Sequence, residues 1–231
     1  MIRVYPFAKL GEFQNDWLHA RYHFSFSNYY NEDRMGFGNL RVINDDTVKA
    51  ASGFPTHGHR DMEIITYVRT GEIRHRDSLG NEGATKGGDV QVMSAGTGIM
   101  HSEFSSPSED TLLYQIWIIP NKKAVEPRWE AKEFPKDAKN ELSLLVSGRK
   151  SDEGKGALFI HQDAAIYGGR IEAGKTVNLK IGKQAYILVS KGEITVNGTR
   201  LGERDGAEVE NENELQISAN GGLAEVLVID I

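Results

Sequence analysis

Apolar positions in this chain fall in short runs bounded by Gly, Asn or Asp, and few recur at helical spacing. Such runs predict strands joined by turns. The pattern places strands at Leu40–Asn44, Glu63–Arg69, Ile73–Asp77, Asp89–Ser94 and Thr111–Ile119. A second set follows at Ala157–His161, Thr176–Ile181, Ala185–Ser190, Ile194–Val196, Ala207–Val209, Leu215–Ser218 and Ala224–Ile229. Ser78-Leu79-Gly80-Asn81 and Val196-Asn197-Gly198-Thr199 read as hairpin turns, because Asn and Gly accept positive φ. Many short strands with regular turns predict an all-β sandwich or barrel.

The pattern breaks over Asn121–Asn140, where Pro127, Pro135 and many Lys and Glu interrupt the alternation. That stretch reads as a linker or wrapping arm between two β units, residues 1–132 and 141–231. An internal repeat supports the division. Tyr67-Val68-Arg69-Thr70-Gly71-Glu72-Ile73 matches Leu188-Val189-Ser190-Lys191-Gly192-Glu193-Ile194. Each is followed by a Gly-containing turn, at Gly87-Gly88-Asp89-Val90 and Asp205-Gly206-Ala207-Glu208. Aligned on these anchors, Asn178, Lys180 and Gln184 fall opposite His57, His59 and Glu63, and Ala219 and Gly221 opposite His101 and Glu103.

Two short words carry the chemistry. In Thr56-His57-Gly58-His59 and in Met100-His101-Ser102-Glu103, metal-capable side chains sit two residues apart. On a strand that spacing sends both to one face. Two such strands side by side would converge three imidazoles and a carboxylate, a donor set that suits a divalent transition metal. Glu63 shares the parity of His57 and His59. With Glu103 able to supply the charge, Glu63 is expected to orient a ligand rather than be one. His75 alternates with Arg74 and Arg76 and reads as exposed. His19 and His23 read as rim or core packing, with the barrel mouth as the other reading, and His161 as structural. Phe24, Phe26, Tyr29, Tyr30 and Phe37 are expected mostly to pack the end of the β unit, with a cap over a substrate cavity as the alternative.

Composition narrows the field. The formal charge of −6 over 231 residues lacks the basic stripe of a nucleic-acid binder. The absence of cysteine removes disulfides, thiolate metal sites and a catalytic thiol. Met1-Ile2-Arg3-Val4-Tyr5-Pro6 has no charged region leading into an apolar stretch, so no signal peptide is expected, and no apolar run approaches the ~20 residues of a membrane span. The expected location is the cytoplasm. No phosphate-cradling loop or G-x-S-x-G elbow is present.

A His-x-His strand, a Gly-bounded hairpin, and then Gly-Asp before a strand ending at a His resemble the cupin barrels. More specifically, several motifs resemble the pirin family. They are Trp17 with His23-Phe24-Ser25-Phe26-Ser27-Asn28-Tyr29-Tyr30, Gly36-Phe37, and Leu40-Arg41-Val42-Ile43-Asn44-Asp45-Asp46. The same holds for Gly53 through Glu63, Met93 through Glu103, and Leu113-Tyr114-Gln115-Ile116-Trp117-Ile118. The resemblance implies a bicupin, two jelly-roll-like β-barrels packed together, with the metal in the first and a degenerate second domain. It implies metal ligands His57, His59, His101 and Glu103, all present here, although Gly58 stands where Pro is often seen and Asp61-Met62 precede Glu63. It implies iron, expected as iron(II), while the imidazole and carboxylate donors leave Zn, Mn, Ni, Co or Cu as alternatives. The implied activity is 2,3-dioxygenation of a flavonol such as quercetin, consuming dioxygen and releasing carbon monoxide. For that activity Glu103 is the expected catalytic base, because it is the nearby carboxylate once the imidazoles are used on the ion. The alternative is an iron-binding regulatory protein with a protein partner and no direct contact to nucleic acid.

Overall fold

The computed structural model describes residues 1–231, and no helix in it is long and apolar enough to cross a membrane. In chain order the first strands are β1 (Ile2–Tyr5), β2 (Gly11–Gln14), β3 (Leu18–Tyr22), β4 (Leu40–Val48), β5 (Gly53–His59), β6 (Glu63–Thr70) and β7 (Glu72–Asp77). Next come β8 (Glu82–Lys86), β9 (Val90–Ser94), β10 (Ile99–Ser105), β11 (Thr111–Ile118), β12 (Arg128–Lys132), β13 (Ser143–Ser147), β14 (Leu158–Phe159) and β15 (Ala165–Ile171). The last are β16 (Thr176–Lys180), β17 (Gln184–Lys191), β18 (Ile194–Val196), β19 (Thr199–Leu201), β20 (Gly206–Glu210), β21 (Glu214–Ala219) and β22 (Ala224–Asp230).

These strands form two compact units. One comprises Gly11–Pro135 with Leu158–Gln162, and the other Met1–Leu10, Lys136–Ala157 and Asp163–Ile231. Chain order and unit therefore part company at the N-terminus, where β1 pairs antiparallel with β20. In the first unit one sheet runs β12-β9-β6-β11-β4-β3-β2 and a smaller one β5-β10-β7-β8. Both are open sheets rather than a closed barrel. The stretch expected to be a linker supplies β12, which pairs with β9 from Arg128↔Ser94 to Lys132↔Val90. Its alternation was masked by flanking Pro127 and by polar residues tolerated on an edge strand.

Alternation sets which side chains enter the interior. Along β7, Ile73, His75 and Asp77 are buried while Arg74 and Arg76 are exposed. His75 thus points inward, contrary to the sequence reading.

The second unit repeats the plan. Its larger sheet contains the run β1-β20-β17-β22-β15-β13 and its smaller sheet is β16-β21-β18-β19. Registers anchored on the repeated Gly-Glu-Ile fix which positions correspond. On β10, Ser105 lies across from Ile73 and Glu103 across from His75. On β21, Ala219 lies across from Ile194, and Ile217 across from Val196. Ile217 and Leu215 therefore stand where Glu103 and His101 do. Since His57 pairs with His101 and Leu179 with Leu215, Leu179 takes the place of His57, and Ile181 that of His59. This corrects the alignment to Asn178, Lys180, Ala219 and Gly221. Corresponding positions are one residue closer between β16 and β17 (Ile181 to Gln184) than between β5 and β6 (His59 to Glu63), and the hairpin β7–β8 is longer than β18–β19, so no constant offset relates the units, and a one-residue slip changes the face. At all four positions the second unit carries Leu or Ile, which pack in or against its apolar core.

Gly53 lets β5 approach β10. A Cβ there would lie 2.2 Å from the Glu103 carbonyl oxygen and 2.5 Å from Phe104 Cα. Gly53→Ala is expected to destabilise the protein by about 1–3 kcal/mol, the usual cost of overpacking, measurable by urea unfolding. An unchanged midpoint would show that β5 has room to move.

Candidate metal centre

The pairing of β5 with β10 sets His57 directly opposite His101, with His59 opposite Ile99. The three rings pack with centroids 4.8 Å (His57–His59), 4.5 Å (His57–His101) and 5.0 Å (His59–His101) apart. One nitrogen from each falls within 4.8 Å of the others. Hydrogen bonds behind the rings assign the tautomers. His57 Nδ1 donates to the Pro55 carbonyl at 2.8 Å, which leaves its Nε2 as a lone pair. Asp77 accepts from the backbone N–H of Leu79 and Asn81, and its other oxygen lies 3.0 Å from His75 Nε2. An acceptor-only carboxylate puts the proton on His75 Nε2, so His75 Nδ1 accepts from His101 Nδ1 at 3.4 Å. The His101 lone pair then resides on Nε2, 3.1 Å from that of His57.

Two lone pairs aimed at each other at that distance repel unless a cation lies between them. Metal–nitrogen bonds of about 2.0–2.1 Å fit this separation. Burial, with His57 second, lowers the His59 pKa to about 4. Burial and then the neighbouring imidazoles lower that of His101 to about 3. Both rings are therefore neutral near pH 7 and able to act as ligands. The residues fit a divalent ion.

Glu103 lies one step inward. Its carboxylate is grouped with His101 and His75, again within 4.8 Å, rather than with all three imidazoles of the first cluster. Gln91 Nε2 and Thr66 Oγ1 donate to one oxygen, and Gln115 Nε2 donates to the other at 2.7 Å. Full burial pushes its pKa up to about 7, against the pull of these three donors. The donors belong to one row across the larger sheet, Tyr22↔Asn44↔Gln115↔Thr66↔Gln91, contributed in turn by β3, β4, β11, β6 and β9. A polar row inside a sandwich is costly unless it is used.

His57, His59, His101 and Glu103 all line one cavity of about 330 Å³, at the lower end of small-molecule sites. Phe26, Phe54, Pro55, Ile64 and Trp117 form its apolar walls, and Asn44, Asp46, Thr56 and Gln115 are its other polar residues. Burial, then Asp45 and Glu103, pushes the Asp46 carboxyl well above its usual range.

The remaining candidates lie elsewhere. Glu63 is not among the cavity-lining residues; its carboxyl accepts from Ser94 Oγ at 2.7 Å and from the His161 backbone. His19 pairs with Glu12, and His23 is buried without lining the cavity. Of the five aromatic candidates only Phe26 reaches the cavity; Phe24 and Phe37 are core and Tyr30 is exposed.

His75 was missed as a functional residue. It stacks on Trp129 at 4.7 Å and 6°, and Gly83 makes room for the indole, since a Cβ there would meet it at 2.4 Å. The usable signal was its shared parity with Ile73. His75→Phe should keep the stack and lose the relay from Asp77 to His101. Metal affinity is expected to fall about 10–100-fold, the usual effect of removing a group that orients a ligand. An unchanged dissociation constant in a competitive chelator titration would remove the relay from the account.

Comparison with known proteins places the chain among its relatives. The Pirin family model matches residues 6–118, and the model for the quercetinase C-terminal cupin domain matches residues 144–231. A pirin-like protein of Caulobacter vibrioides is 46% identical over 233 residues, covering 100% of this chain and 99% of its own. The quercetin 2,3-dioxygenase of Escherichia coli K12 is 40% identical over 234 residues, with 100% and 99% covered. The crystal structure of the E. coli bacterial pirin YhhW in complex with nickel(II) superimposes with a TM-score of 0.92 at 39% identity, covering 100% of this chain and 99% of that one.

Proposed function

This chain belongs to the pirin family, and we propose that within it the protein is a metal-dependent dioxygenase acting on a flavonol such as quercetin. The observation that carries the reading is the single cavity lined by His57, His59, His101 and Glu103 and otherwise walled mainly by apolar side chains. We assign the three imidazoles to one divalent ion, with Glu103 as the fourth ligand and the catalytic base. Nitrogen and oxygen donors without thiolate suit iron(II), and equally the nickel bound by the E. coli relative. When bound, the ion supplies positive charge that lowers the pKa of a hydroxyl brought to it.

The chain's own groups do the rest. Phe26, Phe54 and Trp117 form flat walls suited to an aromatic ring system, and with Ile64 they keep water away from it. Glu103 receives the proton of the flavonol 3-hydroxyl, while Gln91, Gln115 and Thr66 fix its carboxylate in place. An iron-binding regulatory protein would need the ligands but no cavity beside them, so the cavity favours catalysis. Protein purified without chelators, analysed for metal and incubated with quercetin in air, is expected to hold about one ion per chain and to release carbon monoxide. Full metal loading with no turnover across several flavonols would overturn the catalytic reading.

A further inference from the structure

We infer that Trp117 is the positioning residue for His59, the one imidazole of the centre that no hydrogen bond holds. The inference rests on the three-imidazole metal reading and adds to it the group that sets one ligand's ring. Metal-binding histidines are usually oriented through the nitrogen that faces away from the ion. His57 has the Pro55 carbonyl for this, and His101 has His75. The His59 side chain has no hydrogen-bond partner in the protein, and it sits half-buried on the edge strand β5. Packing is what remains to fix its angle.

Trp117 supplies that packing. Its ring meets the His59 ring edge to face, with centroids 5.0 Å apart and planes at 83°. It is the only aromatic ring outside the histidine cluster that His59 meets. Aromatic pairs favour this perpendicular arrangement. The indole is itself fixed. Phe26 stands edge to face on it at 5.4 Å and 89°, and the buried cluster of Ile64, Met93, Ala95 and Ile99 packs against it. Ile99 also lies directly across from His59 in the β10–β5 pairing, so the platform rests on the residue that pairs with the ligand. The indole Nε1 is buried and makes no hydrogen bond, which leaves packing to set the angle of this ring too. A ligand held at its angle before the ion arrives loses less freedom on binding it.

The second unit shows that the fold does not require an indole here. Ile64 and Ala185 each lie seven residues before the repeated Gly, at Gly71 and Gly192. Ile64 pairs with Trp117 on β11, and Ala185 pairs with Asp230 on β22. Asp230 therefore stands at the position of Trp117, where it is committed to Arg149 and to the Gly182 N–H. The same scaffold is built without the ring in the unit that carries Ile181 in place of His59. Trp117 goes with the ligand rather than with the sheet.

The test measures nickel dissociation constants, by competitive chelator titration, in four full-length proteins: native, Trp117→Leu, His59→Ala and the double variant. Trp117→Leu alone is expected to weaken nickel binding about threefold to tenfold, within the worth of one aromatic pair. Added to His59→Ala, the same substitution should change the constant by less than about twofold, the scatter of independent sites, because no ring is left to hold. Trp117→Phe keeps a flat ring at the site and should bind nickel more tightly than Trp117→Leu. If the leucine variant does not fold, Trp117→Met, whose flexible chain fills irregular space, takes its place in the cycle with the same expectation. An equal loss in both backgrounds would show Trp117 acting through the fold or the cavity wall and would overturn the inference. So would no loss in either, or a phenylalanine variant no better than the leucine one. Native protein that binds no nickel would remove the metal reading and this inference together, whereas native binding with an equal loss in both backgrounds removes the inference alone.

Discussion

Replacing His59 with alanine is expected to lower the metal content of the purified protein by more than about tenfold while the fold survives. The loss should exceed the low end of what removing a mere orienting partner costs, because a donor itself is gone. Survival of the fold follows from the duplicated unit, which builds the same pair of sheets with Ile181 at the corresponding position. His59 is also only half-buried, on the edge strand β5. Elemental analysis together with thermal unfolding monitored by circular dichroism checks both halves. A folded variant at full occupancy would remove His59 from the ligand set.

Glu103→Gln is expected to keep some metal and to lose at least about a hundredfold in quercetin turnover, the lower end of what general-base catalysis contributes. The substitution keeps the size and one oxygen but removes the charge and the proton acceptor. Its surroundings sharpen the effect. Gln91, Gln115 and Thr66 all donate to the carboxylate, so an amide placed there aims its own N–H₂ at another donor. The loss should therefore appear in kcat more than in metal occupancy. Near-normal turnover by a metal-loaded variant would defeat the base assignment.

Much of the centre was legible because it is local. His57 with His59, and His101 with Glu103, each obey the two-residue period of a strand, and that period alone puts them on one face. The side chains that support them were less legible. His75 sits between two arginines, and their charge suggested solvent, although Ile73 at the same parity marked the inward face. The row from Tyr22 to Gln91 could not be read at all, since it exists only once five strands from separate parts of the chain take up their register. The ligand positions of the second unit were misplaced for a related reason. Connections of different length in the two units, before as well as after the repeated Gly-Glu-Ile, shifted the alignment, and only strand pairing restores Leu179, Ile181, Leu215 and Ile217 to their places.

The most direct measurement is anomalous diffraction, at the absorption edge of the bound metal, from crystals of protein purified without chelators. One peak per chain is expected, within coordinating distance of Nε2 of His57, Nε2 of His101, a ring nitrogen of His59 and a carboxylate oxygen of Glu103. A peak elsewhere, a second ion in the unit that carries Leu179 and Leu215, or no peak from fully loaded protein would contradict it.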